Sequence, residues 1–234
     1  MSPVEKWFKS KGWKPQDFQV NCWENYSKGE NIMLHAPTGT GKTYAVWGGI
    51  LNESFELKKI EEGINVIWIT PLRALAVEIQ KSTQQLCTDL KTDIKVDLRT
   101  GDTPQSRKAK QNKSFPFGLI TTPETLHILL SSKKHKNIFK NLRSVVVDEW
   151  HELLGTKRGV QVELAISYLK FLIPKIKIIG ISATLGNKKL AGDILMGLGN
   201  NYNTITSKIN KKIKVKSIIP KSMERFPWRG HLGT

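Results

Sequence analysis

The chain has 234 residues, a formal net charge of +17 and two cysteines, Cys22 and Cys87. At roughly 150 residues per domain, this length accommodates one domain and part of a second. A hydrophobic fraction of 39% and a charged fraction of 24% are ordinary for a globular protein and exclude disordered and fibrous classes. The cysteines follow no Cys-x-x-Cys or Cys/His spacing, which excludes a zinc knuckle or disulfide framework and predicts packed thiols.

The net positive charge and the shortness of the apolar runs limit the kinds of partner that the chain can bind. The chain has 37 Lys and Arg against 20 Asp and Glu, and this excess of positive charge attracts polyanions such as nucleic acid or an acidic membrane. Only seven of the basic residues are Arg, a balance that suits phosphate contacts better than the reading of base edges. No apolar run approaches the ~18 residues of a membrane span, and the N-terminal sequence has no apolar signal-peptide core. We therefore expect a cytoplasmic protein with no membrane partner.

Six short apolar, β-branched runs predict strands. Segments with helical spacing or turn residues separate them, and the runs VVVD and IIGIS lack polar alternation. Such runs are typical of strands in a parallel sheet that helices cover on both faces. The predicted strands are residues 32–36, 66–70, 96–100, 118–122, 145–148 and 178–182.

Helical spacing lies between the strands, and two helices show it best. Their predicted apolar stripes are Trp47, Leu51 and Phe55 within residues 42–57, and Leu164, Tyr168 and Leu172 within residues 160–172. Strands that alternate with helices predict an α/β fold with a mostly parallel sheet and helices on both faces.

The composition changes after about residue 200. Residues 207–234 contain eight Lys and Arg against one acid, Glu224, and residues 213–219 alternate weakly like a strand. The chain then stops without a closing element. We expect one domain over residues 1–206, and in residues 207–234 a basic linker with the start of a truncated second domain.

The strongest motif is APTGTGKT at residues 36–43, which follows a predicted strand and opens a predicted helix. Glycines let the backbone N–H groups turn toward a β-phosphate, and the helix N-terminus adds its positive dipole. Lys42 is expected to neutralise the β- and γ-phosphates of ATP, and Thr43 to ligate Mg²⁺ through its hydroxyl. An ordinary glycine turn before a helix is the alternative. The expected nucleotide-binding residues are Pro37, Thr38, Gly39, Thr40, Gly41, Lys42 and Thr43.

An acidic pair, Asp148 and Glu149, ends the predicted strand LRSVVVD. Carboxylates that emerge from an apolar strand are costly unless they hold a cation or move a proton. We expect Asp148 to anchor Mg²⁺ through the water shell of the metal, and Glu149 to accept a proton from the attacking water. An acidic pair alone also fits a helix N-terminus, where the dipole favours acids.

Two turns share one construction, Thr70-Pro71 and Thr122-Pro123, and each follows a predicted strand. Thr as N-cap and Pro at the first helical position predict a helix start at each, and efficient capping is the alternative to a functional role. Helix starts also offer N–H groups to a phosphate, and both turns lie where doubly wound sheets bind ligands. Since one P-loop accounts for ATP, we expect the turns to hold a nucleic-acid backbone.

The ordered segments APTGTGKT, TPLRALA, RTGDT, TTPETL, DEWH and SATLGN resemble the motifs of superfamily 2 helicases over nearly the whole chain. RTGDT, DEWHELLGTKRG and ERFPWRGHLG are most similar to the large-helicase-related (Lhr-like) family, in particular its bacterial ligase-associated DEXH-box branch. The resemblance implies a RecA-like P-loop NTPase fold, 3′-to-5′ movement on DNA and a role in DNA repair with ligase and nuclease partners. The nucleic-acid contacts that it and the turns imply are Thr70, Pro71, Arg73, Thr100, Gly101, Thr122 and Pro123.

The resemblance also assigns further roles. Gln19 matches the glutamine that reads the adenine edge, and Trp13 the aromatic that packs beside the base, with packing at a helix entry as the alternative. The residues that match groups linking nucleotide state to domain movement are His151, Ser182 and Thr184, and a satisfied core histidine is the alternative for His151.

The sequence thus predicts the ATP-binding N-terminal motor domain of an ATP-dependent DNA helicase or translocase. The family's second RecA-like domain, whose arginines reach the γ-phosphate, has no counterpart here, and Arg225 and Arg229 match no catalytic motif. We therefore expect weak or no turnover by this chain alone. The alternatives are an RNA helicase domain, since the same motifs grip ribose backbones, and a non-catalytic nucleic-acid-binding module that nucleotide switches.

Overall fold

The computed structural model describes residues 1–57, 60–183 and 187–209. Its strands are β1 (Ile32–His35), β2 (Val66–Ile69), β3 (Val96–Arg99), β4 (Gly118–Thr121), β5 (Ser144–Val147), β6 (Lys177–Ser182) and β7 (Asn203–Thr206). They form one sheet in the order β3-β4-β2-β5-β6-β1-β7, and every neighbouring pair is parallel. All carboxyl ends of the strands therefore lie at one edge of the sheet.

Helices cover both faces of the sheet, as predicted. They are α1 (Pro3–Ser10), α2 (Asp17–Ser27), α3 (Lys42–Glu56), α4 (Arg73–Asp89), α5 (Gln105–Lys113), α6 (Pro123–Leu130), α7 (His135–Ile138), α8 (Trp150–Leu153), α9 (Lys157–Leu172) and α10 (Lys188–Met196). One apolar cluster joins the sheet to α1, α2, α3 and α4, and a second joins the other face to α6, α8, α9 and α10. Both clusters are continuous with the strands, so the sheet is the centre of the fold.

An aromatic contact fixes α3 on the sheet. Trp47 of α3 is 1% exposed and packs edge to face on Trp68 of β2, with ring centroids 6.3 Å apart. A Cβ on Gly118 of β4 would lie 2.6 Å from the Trp47 ring, so only glycine leaves room for that ring. Because α3 follows the P-loop directly, this packing also holds the P-loop in place.

The six predicted strands are confirmed, each within one residue at either end. The edge strand β7 was not predicted. Its four residues, NTIT, bury only Ile205, so the sequence lacks the apolar run that marks the other strands. It pairs with β1 through backbone hydrogen bonds, which a pattern of side chains does not reveal.

The apolar stripe predicted for α9 was wrong. Leu164 is 60% exposed, and the buried face consists of Val162, Ala165, Ile166 and Leu169. The helix carries two apolar stripes, and the spacing alone cannot tell which one packs. In α3 the stripe was right for Trp47 and Leu51, whereas Phe55, near the end of the helix, is 44% exposed.

The two threonine-proline turns differ. At the second, α6 begins at Pro123 with Thr122 as N-cap, as predicted. At the first the prediction was wrong: the chain bends at Pro71, Leu72 is extended and is the N-cap, and α4 begins only at Arg73. The side chain of Thr122 also makes no cap, since its hydroxyl donates to the Thr125 hydroxyl at 3.3 Å.

Cys22 and Cys87 are free and buried, as predicted, and burial raises the pKa of Cys22 to about 12. Within the described ranges, no helix has the length and apolarity that crossing a bilayer demands. The strand predicted at residues 213–219, Arg225, Arg229 and the proposed start of a second domain lie outside the described residues, and the boundary after residue 206 stays a prediction.

Candidate nucleotide and nucleic-acid site

The P-loop links β1 to α3 at the carboxyl edge of the sheet. Gly39 and Gly41 have φ of 69° and 87°, in the left-handed region where a β-carbon is disfavoured. The Thr40 hydroxyl donates to the Pro37 carbonyl at 2.7 Å and closes the turn. Gly41 is the N-cap of α3 and brings no side chain to its first amide groups. The helix therefore presents N–H donors and the positive end of its dipole to an anion.

Lys42 lies at the base of this turn and is 9% exposed. Its Nζ is 3.3 Å from Oε1 of Glu149, so the loop cation and the acid after β5 form an ion pair. The pair brings together two residues that are 107 positions apart in the sequence. This proximity is the geometry that the sequence predicts for the two motifs.

Asp148 is nearly inaccessible, with 5% of its surface exposed. Its carboxylate accepts hydrogen bonds from the Trp68 indole at 3.3 Å and from the Glu149 backbone N–H at 2.9 Å. Burial, and next the charge of Glu149, raise the pKa of Asp148 to about 6, against the opposing charge of Lys42. A buried carboxyl with a raised pKa favours the approach of a cation.

Glu149 adopts a left-handed backbone, with φ 47° and ψ 44°. This conformation costs a non-glycine residue on the order of 1 kcal/mol, so the surroundings must hold it. Its Oε2 lies 3.4 Å from Nδ1 of His151, and that nitrogen lies 3.3 Å from the Ser182 hydroxyl. A chain of polar contacts thus runs from Lys42 through Glu149 and His151 to Ser182 on β6. Thr184, the third predicted coupling residue, lies outside the described residues.

A cleft of about 540 Å³ opens beside these groups. The P-loop and the acidic pair line one side, and the first turns of α4 line the other with Leu75, Glu78, Ile79 and Ser82. The sequence analysis did not single out Glu78 or Ser82, because an exposed acid and a serine on a helix carry no motif of their own. Among the described residues, no three or more His, Cys, Asp or Glu side chains group as a metal site.

Of the two residues assigned to the adenine base, Gln19 contacts the P-loop and Trp13 packs on the aromatic residues of α1. Gln19 is 3% exposed, donates from Nε2 to the Gly41 carbonyl at 3.1 Å and accepts from the Gln16 backbone N–H at 2.8 Å. The second contact is the helix-entry packing that was the alternative, and the reading of the adenine edge by Gln19 stays a prediction. Trp13 is 52% exposed and packs edge to face on Trp7, with centroids 5.6 Å apart, which leaves ring surface available.

A buried histidine was missed by the sequence analysis. His35 ends β1, faces Ser182 in the sheet register and is 2% exposed. Neither ring nitrogen has a hydrogen-bond partner among the described residues. Burial, and next the charge of Lys188, lower the pKa of His35 to about 4. The side chain is therefore neutral at physiological pH, beside the His151–Ser182 contact.

The residues predicted to contact nucleic acid lie together. They follow β2, β3 and β4, which are neighbours in the sheet. Thr70, Thr100 and Thr122 are nearly buried, and the Thr70 hydroxyl has no hydrogen-bond partner in the described part of the chain. Arg73 is exposed, and its Nη1 contacts both carboxylate oxygens of Asp102 at 2.7 Å.

A basic region was not recognised in the sequence. Residues 103–147 carry nine Lys and Arg against one acid, Glu124, and include the exposed helix α5. On α5, Lys108 donates to the Gly101 carbonyl at 3.1 Å, next to the turn after β3. Lys108 of this region therefore adjoins the turns, and further excess positive charge is present in residues 207–234.

Known proteins match this arrangement. The profile of the DEAD/DEAH box helicase family matches residues 16–191, which include the P-loop and the acidic pair. The chain belongs to the DEAD/DEAH box helicase family. Together with the seven parallel strands and covering helices of the described residues, this makes it a helicase motor domain of RecA-like fold.

Several relatives are Lhr helicases. The ATP-dependent helicase Lhr-Core of Saccharolobus solfataricus is 32% identical over 228 residues, which are 93% of this chain and 26% of that protein. Lhr-Core of Methanocaldococcus jannaschii is 32% identical over 235 residues, 93% of this chain and 27% of that protein. The structure of Mycobacterium smegmatis helicase Lhr bound to ssDNA and AMP-PNP superposes with a TM-score of 0.82 at 28% identity, over 90% of this chain and 28% of that one.

The prediction of an Lhr-like superfamily 2 helicase domain is thereby confirmed. The chain spans about a quarter of the length of the curated relatives it matches. The ligase-associated branch, the repair partners and the cytoplasmic location stay predictions.

Proposed function

We propose that this helicase domain binds ATP·Mg²⁺ and single-stranded DNA and drives movement along that strand in an ATP-dependent DNA helicase or translocase. One observation carries the proposal: Lys42, Asp148 and Glu149 converge beside the uncapped start of α3, at the sheet edge where β2, β3 and β4 present their turns. The Lhr structure that contains ssDNA and AMP-PNP matches this chain over 90% of its length, which supports DNA as the strand.

In the proposed ATP complex, the phosphates lie over the first amides of α3 and Lys42 contacts the β- and γ-phosphates. Thr43 and Asp148 are the residues that would hold Mg²⁺, which when bound neutralises phosphate charge. Mg²⁺ takes one or two carboxylates and completes its shell with water and phosphate oxygens, so a single buried Asp148 is sufficient.

Glu149 is the proposed general base. Its Oε1 is paired with Lys42. When the γ-phosphate draws Lys42 away, that oxygen becomes available to accept a proton from the attacking water. His151 contacts the other carboxylate oxygen and Ser182, and it would report the change to β6.

The turns after β2, β3 and β4 would hold the sugar-phosphate backbone, with Arg73 as the exposed cation. Lys108 beside the turn after β3 and the lysine-rich composition of the chain favour phosphate contacts that do not depend on sequence. We therefore expect affinity that falls steeply with salt and varies little with base composition.

An arginine delivered across a domain boundary to the transferring phosphate is worth roughly 10³ to 10⁵ in rate. We propose that a second domain supplies it in the longer protein. The test is the ATPase activity of this chain, with and without single-stranded DNA, beside a version extended through a second RecA-like domain. We expect weak turnover by the chain alone, and restoration by orders of magnitude with little change in nucleotide affinity. Robust DNA-stimulated turnover by the 234-residue chain at high dilution would contradict the two-domain account.

The same assay decides between the alternatives. An extended protein that binds ATP and DNA but never hydrolyses ATP would be a nucleotide-switched binding module. Competition between DNA and RNA strands of matched sequence separates the DNA from the RNA helicase, because turns that contact phosphates do not by themselves discriminate the sugar.

A further inference from the structure

Arg158, the second residue of α9, joins two turns of the proposed nucleic-acid surface. Its Nε and Nη2 donate to the two carboxylate oxygens of Glu124 at 2.6 and 3.3 Å, and its Nη1 donates to the Pro71 carbonyl at 2.8 Å. Glu124 follows the Thr122-Pro123 turn directly, and Pro71 belongs to the other turn. One guanidinium therefore connects the ends of the adjacent strands β4 and β2.

The chemistry of this contact is specific to arginine. The planar guanidinium group has five N–H donors, so it can bind both oxygens of a carboxylate and a carbonyl at the same time. The ammonium group of lysine cannot form this planar bidentate contact. The pair is partly exposed, at 37% for the Arg158 side chain and 49% for Glu124. Such pairs contribute only about 0–1 kcal/mol to stability. What the contact fixes is the spacing of the two turns.

Burial and charge at Glu124 agree with a persistent pair. Partial burial raises the pKa of Glu124, but the hydrogen bonds from Arg158, from its own backbone and from Thr122 outweigh it and leave the pKa below its ordinary value. The carboxylate is therefore ionised and paired across the pH range in which the domain would work.

The start of α9 is also tied to the catalytic acids. The Thr156 hydroxyl donates to the Leu153 carbonyl at 2.6 Å and accepts from the Gly159 N–H at 3.1 Å. A Cβ on Gly159 would lie 2.1 Å from the same Leu153 carbonyl, so α9 approaches α8 as closely as glycine permits. The short helix α8 follows Glu149 directly. A tightly packed connection therefore lies between Glu149 and Arg158.

We infer that Arg158 is a positioning residue that holds the Thr70-Pro71 and Thr122-Pro123 turns at a fixed spacing for phosphates of one strand, and that links this spacing to α8. The inference rests on the proposed function. Since the Arg158 fork is taken up by Glu124 and Pro71, the residue acts through the turns and not as a phosphate ligand.

The test measures anisotropy of a labelled oligothymidylate of about 20 nucleotides with the 234-residue chain, across a salt series. Arg158→Gln is expected to weaken binding about tenfold, within the range of coupled contacts. Glu124→Gln is expected to weaken it similarly, although it removes a negative charge from a surface that binds a polyanion. Arg158→Lys should not rescue binding, and the double variant should be no weaker than either single variant.

Lys157→Gln is the matched control, because it removes one positive charge from the neighbouring exposed position of α9. It should change affinity much less than Arg158→Gln. The slope of log Kd against log salt should stay at its wild-type value in Arg158→Gln, whereas loss of a direct phosphate ligand lowers it by about one. Nucleotide affinity and thermal unfolding of each variant show whether it has folded.

Three outcomes would overturn the inference. In one, Glu124→Gln tightens binding, which means the pair acts by charge alone. In another, Arg158→Gln lowers the salt slope, which makes Arg158 a phosphate ligand. In the third, Arg158→Gln behaves like Lys157→Gln. Failure of the proposed function is distinct, because the wild-type chain itself would then bind no strand. If Arg158→Gln does not fold, the sign of the Glu124→Gln effect still decides.

Discussion

The two ends of the proposed mechanism are built differently, although they share one edge of the sheet. At the nucleotide end, Lys42 and Asp148 are buried and the side chain of Glu149 is only 13% exposed. Lys42 and Glu149 pair with each other, and the carboxylate of Asp148 accepts from the Trp68 indole and from the backbone N–H of Glu149. At the nucleic-acid end, the cations Arg73 and Arg158 are exposed or partly exposed, and their partners come from other segments. The nucleotide end is preorganised by burial, and the nucleic-acid end by surface ion pairs.

The difference predicts where a substitution has a large effect. A buried charged group that loses its partner costs several kcal/mol, while an exposed ion pair contributes little by itself. Substitutions at the nucleotide end should therefore abolish ATP binding or hydrolysis, whereas substitutions at the nucleic-acid end should change the affinity for the strand only moderately.

The largest expected effect is that of Lys42→Ala. No other P-loop side chain can neutralise the phosphates, so the variant should show no measurable binding of a fluorescent ATP analogue in equilibrium titration. Lys28→Ala, an exposed lysine after α2, is the control and should bind as the wild type does. Unchanged affinity in a folded Lys42→Ala variant would remove the P-loop assignment.

Glu149→Gln should leave ATP binding intact and lower residual hydrolysis about 10²- to 10⁴-fold, the usual contribution of a general base. The amide keeps the shape of the side chain but cannot take a proton from water. Single-turnover hydrolysis of labelled ATP measures the effect. Glu152→Gln changes the exposed acid three residues further along, and should hydrolyse ATP at the wild-type rate. A Glu149→Gln variant with full activity would assign the base to another group.

These two motifs are also where the sequence was most informative. The left-handed glycines 39 and 41 and the acids after a wholly apolar strand are local requirements, so the residues themselves record them. The strands were found for the same reason, because each parallel strand between two helical layers needs its own apolar run.

The nucleic-acid end was predicted less well because its geometry depends on distant residues. Nothing near Pro71 in the sequence shows that Arg158 donates a hydrogen bond to its carbonyl, and the helix expected to start there begins two residues later, at Arg73. Likewise, Gly159 packs α9 against α8 on a face that the apolar spacing of Leu164 and Tyr168 does not indicate. Where the local sequence fits two helix starts or two packed helix faces equally well, tertiary contacts determine which one forms.

The next prediction concerns stability and pH at Asp148. Its pKa is raised from 3.8 to about 6 in the folded chain, so the contribution of Asp148 to stability is greatest below about pH 4 and is lost as the pH rises through 6. The shift corresponds to a cost on the order of 3 kcal/mol when the carboxyl is ionised. Asp148→Asn should therefore raise the free energy of unfolding of the nucleotide-free chain at pH 8, with a smaller gain or a loss at pH 4.

Urea unfolding at the two pH values measures this change. In the same variant, the dependence of nucleotide affinity on Mg²⁺ should weaken, because the amide is a poorer metal ligand than the carboxylate. A variant whose stability keeps the wild-type pH dependence would show that another group titrates. If a Mg²⁺ titration is unchanged, the metal assignment is wrong.

The smallest expected effect separates the two ion pairs of the nucleic-acid end. The side chains of Arg73 and Asp102 are 63% and 65% exposed. Within the described residues, the Arg73 guanidinium donates hydrogen bonds to Asp102 alone, whereas Arg158 also donates to the Pro71 carbonyl. Asp102 therefore competes with phosphate for Arg73, so Asp102→Asn should tighten binding of a single strand a few-fold and steepen its salt dependence. Asp93→Asn removes an exposed acid ahead of the amino end of β3 and serves as the control for charge alone. If Asp102→Asn tightens strand binding and Glu124→Gln weakens it, the Arg73–Asp102 pair restrains a phosphate ligand and the Arg158–Glu124 pair sets the spacing of the turns. If Asp102→Asn weakens binding, Asp102 orients Arg73, and the two pairs have the same positioning role.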